Sequence, residues 1–175
     1  MFSNPLISIA GQDDVNEIVR LLNSAYRGES SKKGWTTEAD LIEGEIRTSD
    51  GQVSELMNTA GHVFIIYRKD HQIIGNVNLQ LHGDRLYLGL FAVSPVLQGG
   101  GIGREILKAC EEYAHHIGIK TIYMRVVSLR AELIAWYKRN GYMETGEVIP
   151  FPDDGKSGKH KMKLEFIVLE KKLTV

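Results

Sequence analysis

Gln98, Gly99, Gly100, Gly101, Ile102 and Gly103 are the residues of this 175-residue chain whose types and spacing could do chemistry. They lie between an apolar run, Leu86 to Val93, and an amphipathic run that opens at Arg104, the pattern of strand, tight turn and helix. A helix that begins in glycine presents bare backbone N–H groups and the positive end of its dipole to an anion. The anion suited to several adjacent amides is the pyrophosphate of a nucleotide cofactor. A P-loop would need a Lys-Ser/Thr pair directly after its last glycine, where Arg104-Glu105 stands. A dinucleotide fingerprint is met in its first half by Gly99 and Gly101, but Arg104 holds the third glycine position.

The pattern that fits is Gln-x-x-Gly-x-Gly, preceded by Val93-Ser94-Pro95. In this the chain resembles the GNAT superfamily of acetyl-CoA-dependent N-acetyltransferases, whose motif is Arg/Gln-x-x-Gly-x-Gly/Ala after a strand ending Val-x-Pro. A second match lies downstream. Ile119 to Val126 reads as a strand, Arg130 to Asn140 as a short helix, and Gly141-Tyr142 as its stop. Tyr137 to Tyr142 fits the family's Tyr-x-x-x-Gly-Phe/Tyr, at the family's distance from the glycine turn.

The resemblance implies acetyl-CoA as co-substrate, its pyrophosphate bound by the backbone amides from Gln98 to Arg104. Gly99, Gly100, Gly101 and Gly103 would keep a Cβ out of that approach. It also implies that the strand end Phe91, Ala92 and Val93 splays from its neighbour and pairs its main chain with the pantetheine arm. These three residues would equally fill a strand core. Tyr137 takes the family's position for the general acid, because a phenol with a pKa of about 10 stays protonated and can donate to a leaving thiolate. Packing with Leu133 and Trp136 on a helix face is its other reading.

Two departures stand out. Many members carry an asparagine seven residues before this tyrosine, on the cofactor arm; here it is Arg130, which could serve a phosphate or a helix start. The strand glutamate used as a base in some subfamilies is missing, with Tyr87 and Gly89 where it would stand. An amine with a lysine-like pKa of about 10.4 must still lose a proton. A water chain, Glu132, His82 or Glu38 are the candidates. The acceptor pocket is expected from the segment Tyr26 to Arg47, where Tyr26, Arg27, Trp35 and Glu38 combine aromatic walls with charge suited to a small-molecule amine or a peptide terminus. Trp35 beside Gly34 fits a packing anchor as well. Two functions follow: an active N-acetyltransferase, or a non-catalytic acyl-CoA-binding regulatory module.

The elements that must position these residues read as one α/β (α+β) domain over residues 1–175, a mostly antiparallel twisted sheet with flanking helices. Leu6 to Ala10 is a first strand and Asp14 to Tyr26 a helix, with Asp14 and Glu17 spaced as a capping box. Arg27 to Thr36 reads as loop, Glu38 to Thr48 as a helix capped by Thr37, and Val53 to Asn58 as a short helix. His62 to Lys69 and Ile73 to Leu81 form a hairpin through Asp70-His71. Tyr142 to Ile149 and Met162 to Leu169 close the sheet, with a loop between them.

Composition sets the remaining bounds. A hydrophobic share of 43% suffices for one core. A net charge of −1 predicts no bulk attraction to nucleic acid or to a membrane surface. The lone Cys110 excludes an intrachain disulfide and sits at helical spacing among apolar residues. No signal peptide is read at Met1 and no run reaches membrane-spanning length, so a cytoplasmic enzyme is expected. The histidines lack ligand spacing, so no metal is expected. The basic run Lys156 to Lys163 reads as a solvated loop and strand edge, or as a contact for an acidic acceptor. A homodimer is compatible with this reading.

Overall fold

The alternating runs assemble into a seven-stranded twisted sheet in a computed structural model that describes residues 1–27, 34, 37, 42–43, 47–151, 159–160 and 163–174. In chain order the described elements are β1 (Ile7–Ile9), α1 (Val15–Tyr26), β2 (Ile42–Glu43), α2 (Asp50–Asn58), β3 (His62–Lys69), β4 (Gln72–His82) and β5 (Arg85–Val93). Then follow α3 (Ile102–His116), β6 (Thr121–Val127), α4 (Ala131–Arg139), β7 (Met143–Pro150), β8 (Lys159–His160) and β9 (Glu165–Lys172). The sheet runs β1-β3-β4-β5-β6-β9-β7, and only the β5–β6 pairing is parallel. It is the mostly antiparallel α/β architecture with flanking helices that the sequence leads one to expect.

Alternation along β5 and β6 decides which helix covers which face. Leu86 and Leu88 of β5, with Ile122 and Met124 of β6, turn to one face and bury against Ile106 and Cys110 of α3. Phe64 and Ile66 of β3 turn to the other and meet Ile18 and Leu22 of α1, all four at most 1% exposed. Each such side chain contributes on the order of 1.5–3 kcal/mol by leaving water. The hairpin turn at Asp70 and His71 has φ of 52° and 64°, the left-handed pair that a two-residue hairpin requires.

Four expectations are corrected. Asp14 and Glu17 do not form a capping box on α1: Asp14 accepts the Gly11 N–H at 2.9 Å, while Glu17 crosses to accept the Ile73 N–H at 2.5 Å. A reciprocal cap loses here to a carboxylate that ties the helix to the sheet. Within the helix expected over 38–48, Ile42 and Glu43 are instead a strand, paired with His160 and Lys159. That pairing joins segments far apart in sequence, which no local pattern displays; residues 38–41 and 44–46 of that range lie outside the described residues. The last strand runs three residues later than its apolar alternation suggests, because β9 pairs with β6 from Phe166 to Lys172 and Lys171 is held there by Glu111. The helix after the glycine turn opens at Ile102, before Arg104, because Gly101 itself ends the turn.

Candidate active site

β5 is where the site begins. It pairs with β6 only through Leu86 with Ile122 and Tyr87 with Tyr123, and beyond these the strands part. Opposite, its register on β4 slips between Asn76 and Asn78, a bulge that places Leu90 at φ 46°. A non-glycine residue there costs on the order of 1–3 kcal/mol, held by surrounding structure. Asn76, 0% exposed, donates from Nδ2 to the Leu90 carbonyl at 2.8 Å and helps to hold it. Strand alternation then turns the main-chain groups of Phe91 and Val93 toward the side that β6 has left. Both carbonyls take side-chain donors on that side: the Tyr26 hydroxyl donates to Phe91, and Gln98 Nε2 to Val93 at 3.0 Å.

The glycine turn follows, and each glycine is needed for a different reason. Gly99 and Gly101 have φ of 92° and 85°, with nothing within 4 Å of where a Cβ would sit. They supply backbone conformation and leave open space. Gly103 is limited by packing, since a Cβ would lie 3.2 Å from the Trp136 ring. Gly100 has no positive φ, and its Cβ would meet only the Leu97 carbonyl, at 3.4 Å. Two of the four glycines are thus required by backbone conformation and one by packing. Among the described residues no side chain caps α3 at Gly101, which leaves its first N–H groups for an outside acceptor.

These parts enclose a cleft of about 630 Å³. Phe91, Ala92 and Val93 form one wall; Gln98, Gly99 and Gly101 to Arg104 form the end; Gly100 does not line it. The opposite wall is a stripe of α4: Glu132, Ala135, Trp136 and Arg139. Glu132, Trp136 and Arg139 were not assigned to the cofactor side from the sequence, yet the i, i+3, i+4, i+7 spacing of the stripe is a legible signal. Arg104 and Arg139 give this cleft two cations.

A second cavity of about 280 Å³ lies on the other side of the same junction. Tyr26, Phe91, Leu133 and Tyr137 line both. Its walls include Tyr87 and Gly89, the positions of the missing glutamate, and a Cβ on Gly89 would fall 2.9 Å from the Tyr87 ring. Arg130 lines this second cavity and not the first, its guanidinium 5.9 Å from the Tyr26 ring centroid. Arg47 and Arg125 line it too. Burial raises the Tyr87 phenol pKa, and the positive charges of Arg125 and Arg47 oppose that rise.

Tyr137 stands where the two cavities meet. Its ring is wedged edge-on against Trp136 at 5.1 Å and Tyr142 at 5.8 Å between centroids, so packing is part of its role. Among the described residues none hydrogen-bonds its hydroxyl. Burial, reinforced by Tyr26 and opposed by Arg130, pushes its pKa well above the ordinary tyrosine value, which keeps the proton on it at neutral pH. Five residues away, the Tyr142 hydroxyl is buried without a partner.

The other sequence candidates scatter. Arg27 is 1% exposed and lines neither cavity. Trp35 and Glu38 lie outside the described residues. His82 sits exposed at the end of β4, 2.5 Å from the Tyr123 hydroxyl, and lines neither cavity. Among the described residues no cluster of His, Cys, Asp and Glu could hold a metal, and no helix is long and apolar enough to cross a membrane.

The fold recurs in solved structures of known proteins. The fold is shared with the ribosomal-protein-S18-alanine N-acetyltransferase of Escherichia coli, at a TM-score of 0.71 and 16% identity over 97% of this chain and 94% of that one. It is shared too with the ribosomal-protein-alanine N-acetyltransferase of Brucella melitensis, at a TM-score of 0.71 and 20% identity over 96% and 99%. An IAA acetyltransferase of Azospirillum brasilense is 25% identical over 93 residues, 52% of this chain and 61% of that relative's length. The model of the Acetyltransferase (GNAT) family matches residues 15–142, a span that contains the glycine turn, the splayed strand and Tyr137. The chain belongs to the GNAT acetyltransferase family.

Proposed function

We propose that this acetyltransferase-family protein moves the acetyl group of acetyl-CoA to a primary amine by direct attack within a ternary complex. The observation that carries the reading is the junction itself: the cleft that runs from the parted edge of β5 to the glycine turn and the second cavity share the wall that bears Tyr137. The residues fit acetyl-CoA on structural grounds. The uncapped amides at the start of α3, open space at Gly99 and Gly101, and Arg104 and Arg139 suit a pyrophosphate. The parted strand suits an extended amide-bearing arm, which would add beside Phe91 and Val93 as a further strand. When bound, the co-substrate supplies an activated acyl thioester.

The chain's own residues then have three tasks. Phe91 and Val93 orient the arm, so that reaction becomes a matter of placement. Tyr137 holds a proton at its hydroxyl, next to both cavities, and delivers it to the departing sulfur. Tyr26, hydrogen-bonded to the Phe91 carbonyl, fixes the wall between the two sites. The proton on the attacking amine leaves to water on the acceptor side. The test is free-thiol release from acetyl-CoA with a panel of amines, beside calorimetry of acetyl-CoA alone. Thiol release that depends on an amine supports the reading; binding without transfer to any amine supports a regulatory module in its place.

A further inference from the structure

Arg47, Arg125 and Arg130 line the second cavity. They arrive from separate elements: Arg47 from the segment before α2, Arg125 from β6, and Arg130 from the cap of α4. Arg125 differs from its neighbour Arg85 on the same sheet face. Arg85 is stacked on Tyr123 at 4.2 Å and paired with Glu170 at 3.6 Å. Arg125 is exposed, lies 5.7 Å from the Tyr87 ring centroid, and makes no ion pair among the described residues. A guanidinium beside a cavity and without a carboxylate is a fork of donors for an oxyanion.

We infer that the acceptor is an amine that also carries a carboxylate or phosphonate, seated on Arg125. The inference rests on the second cavity being the acceptor side of an acetyltransferase. Charge makes it selective in both directions. A diamine or lysine-like cation meets like charge, whereas an anionic group gains charge-assisted bonds. The Arg125 charge disfavours the ammonium form of the bound amine and so favours the neutral form that attacks. Tyr87 and the ring pair Phe151 and Phe166, 4.6 Å between centroids, give the remainder of such a molecule apolar walls.

The experiment measures kcat/KM for the common L-amino acids, their carboxamides, aminoalkylphosphonates and the diamine cadaverine, with acetyl-CoA affinity followed by calorimetry on the same samples. At least one anionic amine is expected to exceed its own uncharged counterpart by about tenfold or more, the scale of one charge-assisted bond. The carboxylate and phosphonate arms separate the two kinds of anion. In Arg125→Gln that preference should shrink to within about threefold while acetyl-CoA affinity holds. Arg85→Gln, which removes a guanidinium outside the cavity, should leave the preference intact. Equal turnover of acids and carboxamides, preference for the diamine, or no reaction with every anionic amine while acetyl-CoA binds overturns the inference. Loss of the preference in Arg85→Gln overturns the seat at Arg125. Failure of wild-type protein to bind acetyl-CoA overturns the transferase reading instead.

Discussion

The two cavities that meet at Tyr137 are built from opposite materials. The larger is lined at its working end by backbone: two glycines in left-handed conformation, the first amides of α3 and the parted edge of β5. The smaller is lined by side chains from β5, β6, α4, β9 and the segment before α2. A main-chain site requires glycines at fixed places and tolerates little else, so its constraint is written into consecutive residues. A side-chain site can be rebuilt by substitution without moving the fold. The difference points to one side that receives a constant group and another that sets choice among acceptors.

Gly101→Val attacks the first side at its least forgiving point. Valine at φ 85° forces a β-branched residue into the left-handed region, costing about 1–2 kcal/mol, and turns the opening amides of α3 away. Acetyl-CoA affinity in calorimetry should fall more than about a hundredfold, with a modest drop in melting temperature. Unchanged affinity would remove the turn from the cofactor site.

Tyr137→Phe tests the shared wall. The ring contacts with Trp136 and Tyr142 persist and only the hydroxyl is lost. Turnover should fall at least about tenfold, with acetyl-CoA affinity little changed. A wild-type rate across the pH range, with chemistry rate-limiting, would assign the proton to water or to another residue.

Arg130→Ala asks which cavity a residue serves when its sequence position and its place in the fold point different ways. It stands at the family's cofactor asparagine, but its guanidinium lines the smaller cavity. The acceptor's kcat/KM is expected to drop up to about tenfold, while acetyl-CoA affinity and its salt dependence stay within about twofold. The reverse split would return Arg130 to the phosphates.

How much could be read in advance follows the same division. The turn from Gln98 to Gly103 shows in the spacing of one short segment, and the strand end at Phe91 to Val93 and Tyr137 were marked by the family resemblance; apart from Gly100, all of them line the larger cleft. The α4 stripe through Glu132 and Arg139 was legible in principle by its period. What was not legible comes from register. The placement of Arg125 beside Tyr87, and of Phe166 in the same cavity, depends on β6 and β9 pairing across the sheet, and the β2–β8 pairing joins Ile42 to His160. The bulge at Leu90 depends on Asn76 from the neighbouring strand. None of these has a period inside its own segment.

Tyr142→Phe gives the smallest effect and the sharpest boundary to the site. Tyr137 and Tyr142 pack edge to face, yet the Tyr142 hydroxyl is buried with no partner among the described residues, and Tyr142 lines neither cavity. Leaving a buried hydroxyl unsatisfied costs about 1–3 kcal/mol, so its removal should leave stability equal or raise it by up to about 1 kcal/mol. Turnover should not change. Burial first, then nearby Cys110, pushes the Tyr142 pKa well above the ordinary value, so the folded chain keeps this proton where the unfolded chain releases it. The unfolded state then binds fewer protons above about pH 10, and stability falls as pH rises from there. Denaturant titrations between neutral pH and pH 11 should show that fall in the wild type and a shallower one in Tyr142→Phe. An activity loss as large as that of Tyr137→Phe would mean that the wall between the cavities includes Tyr142, and that the proton donor is a pair of phenols rather than one.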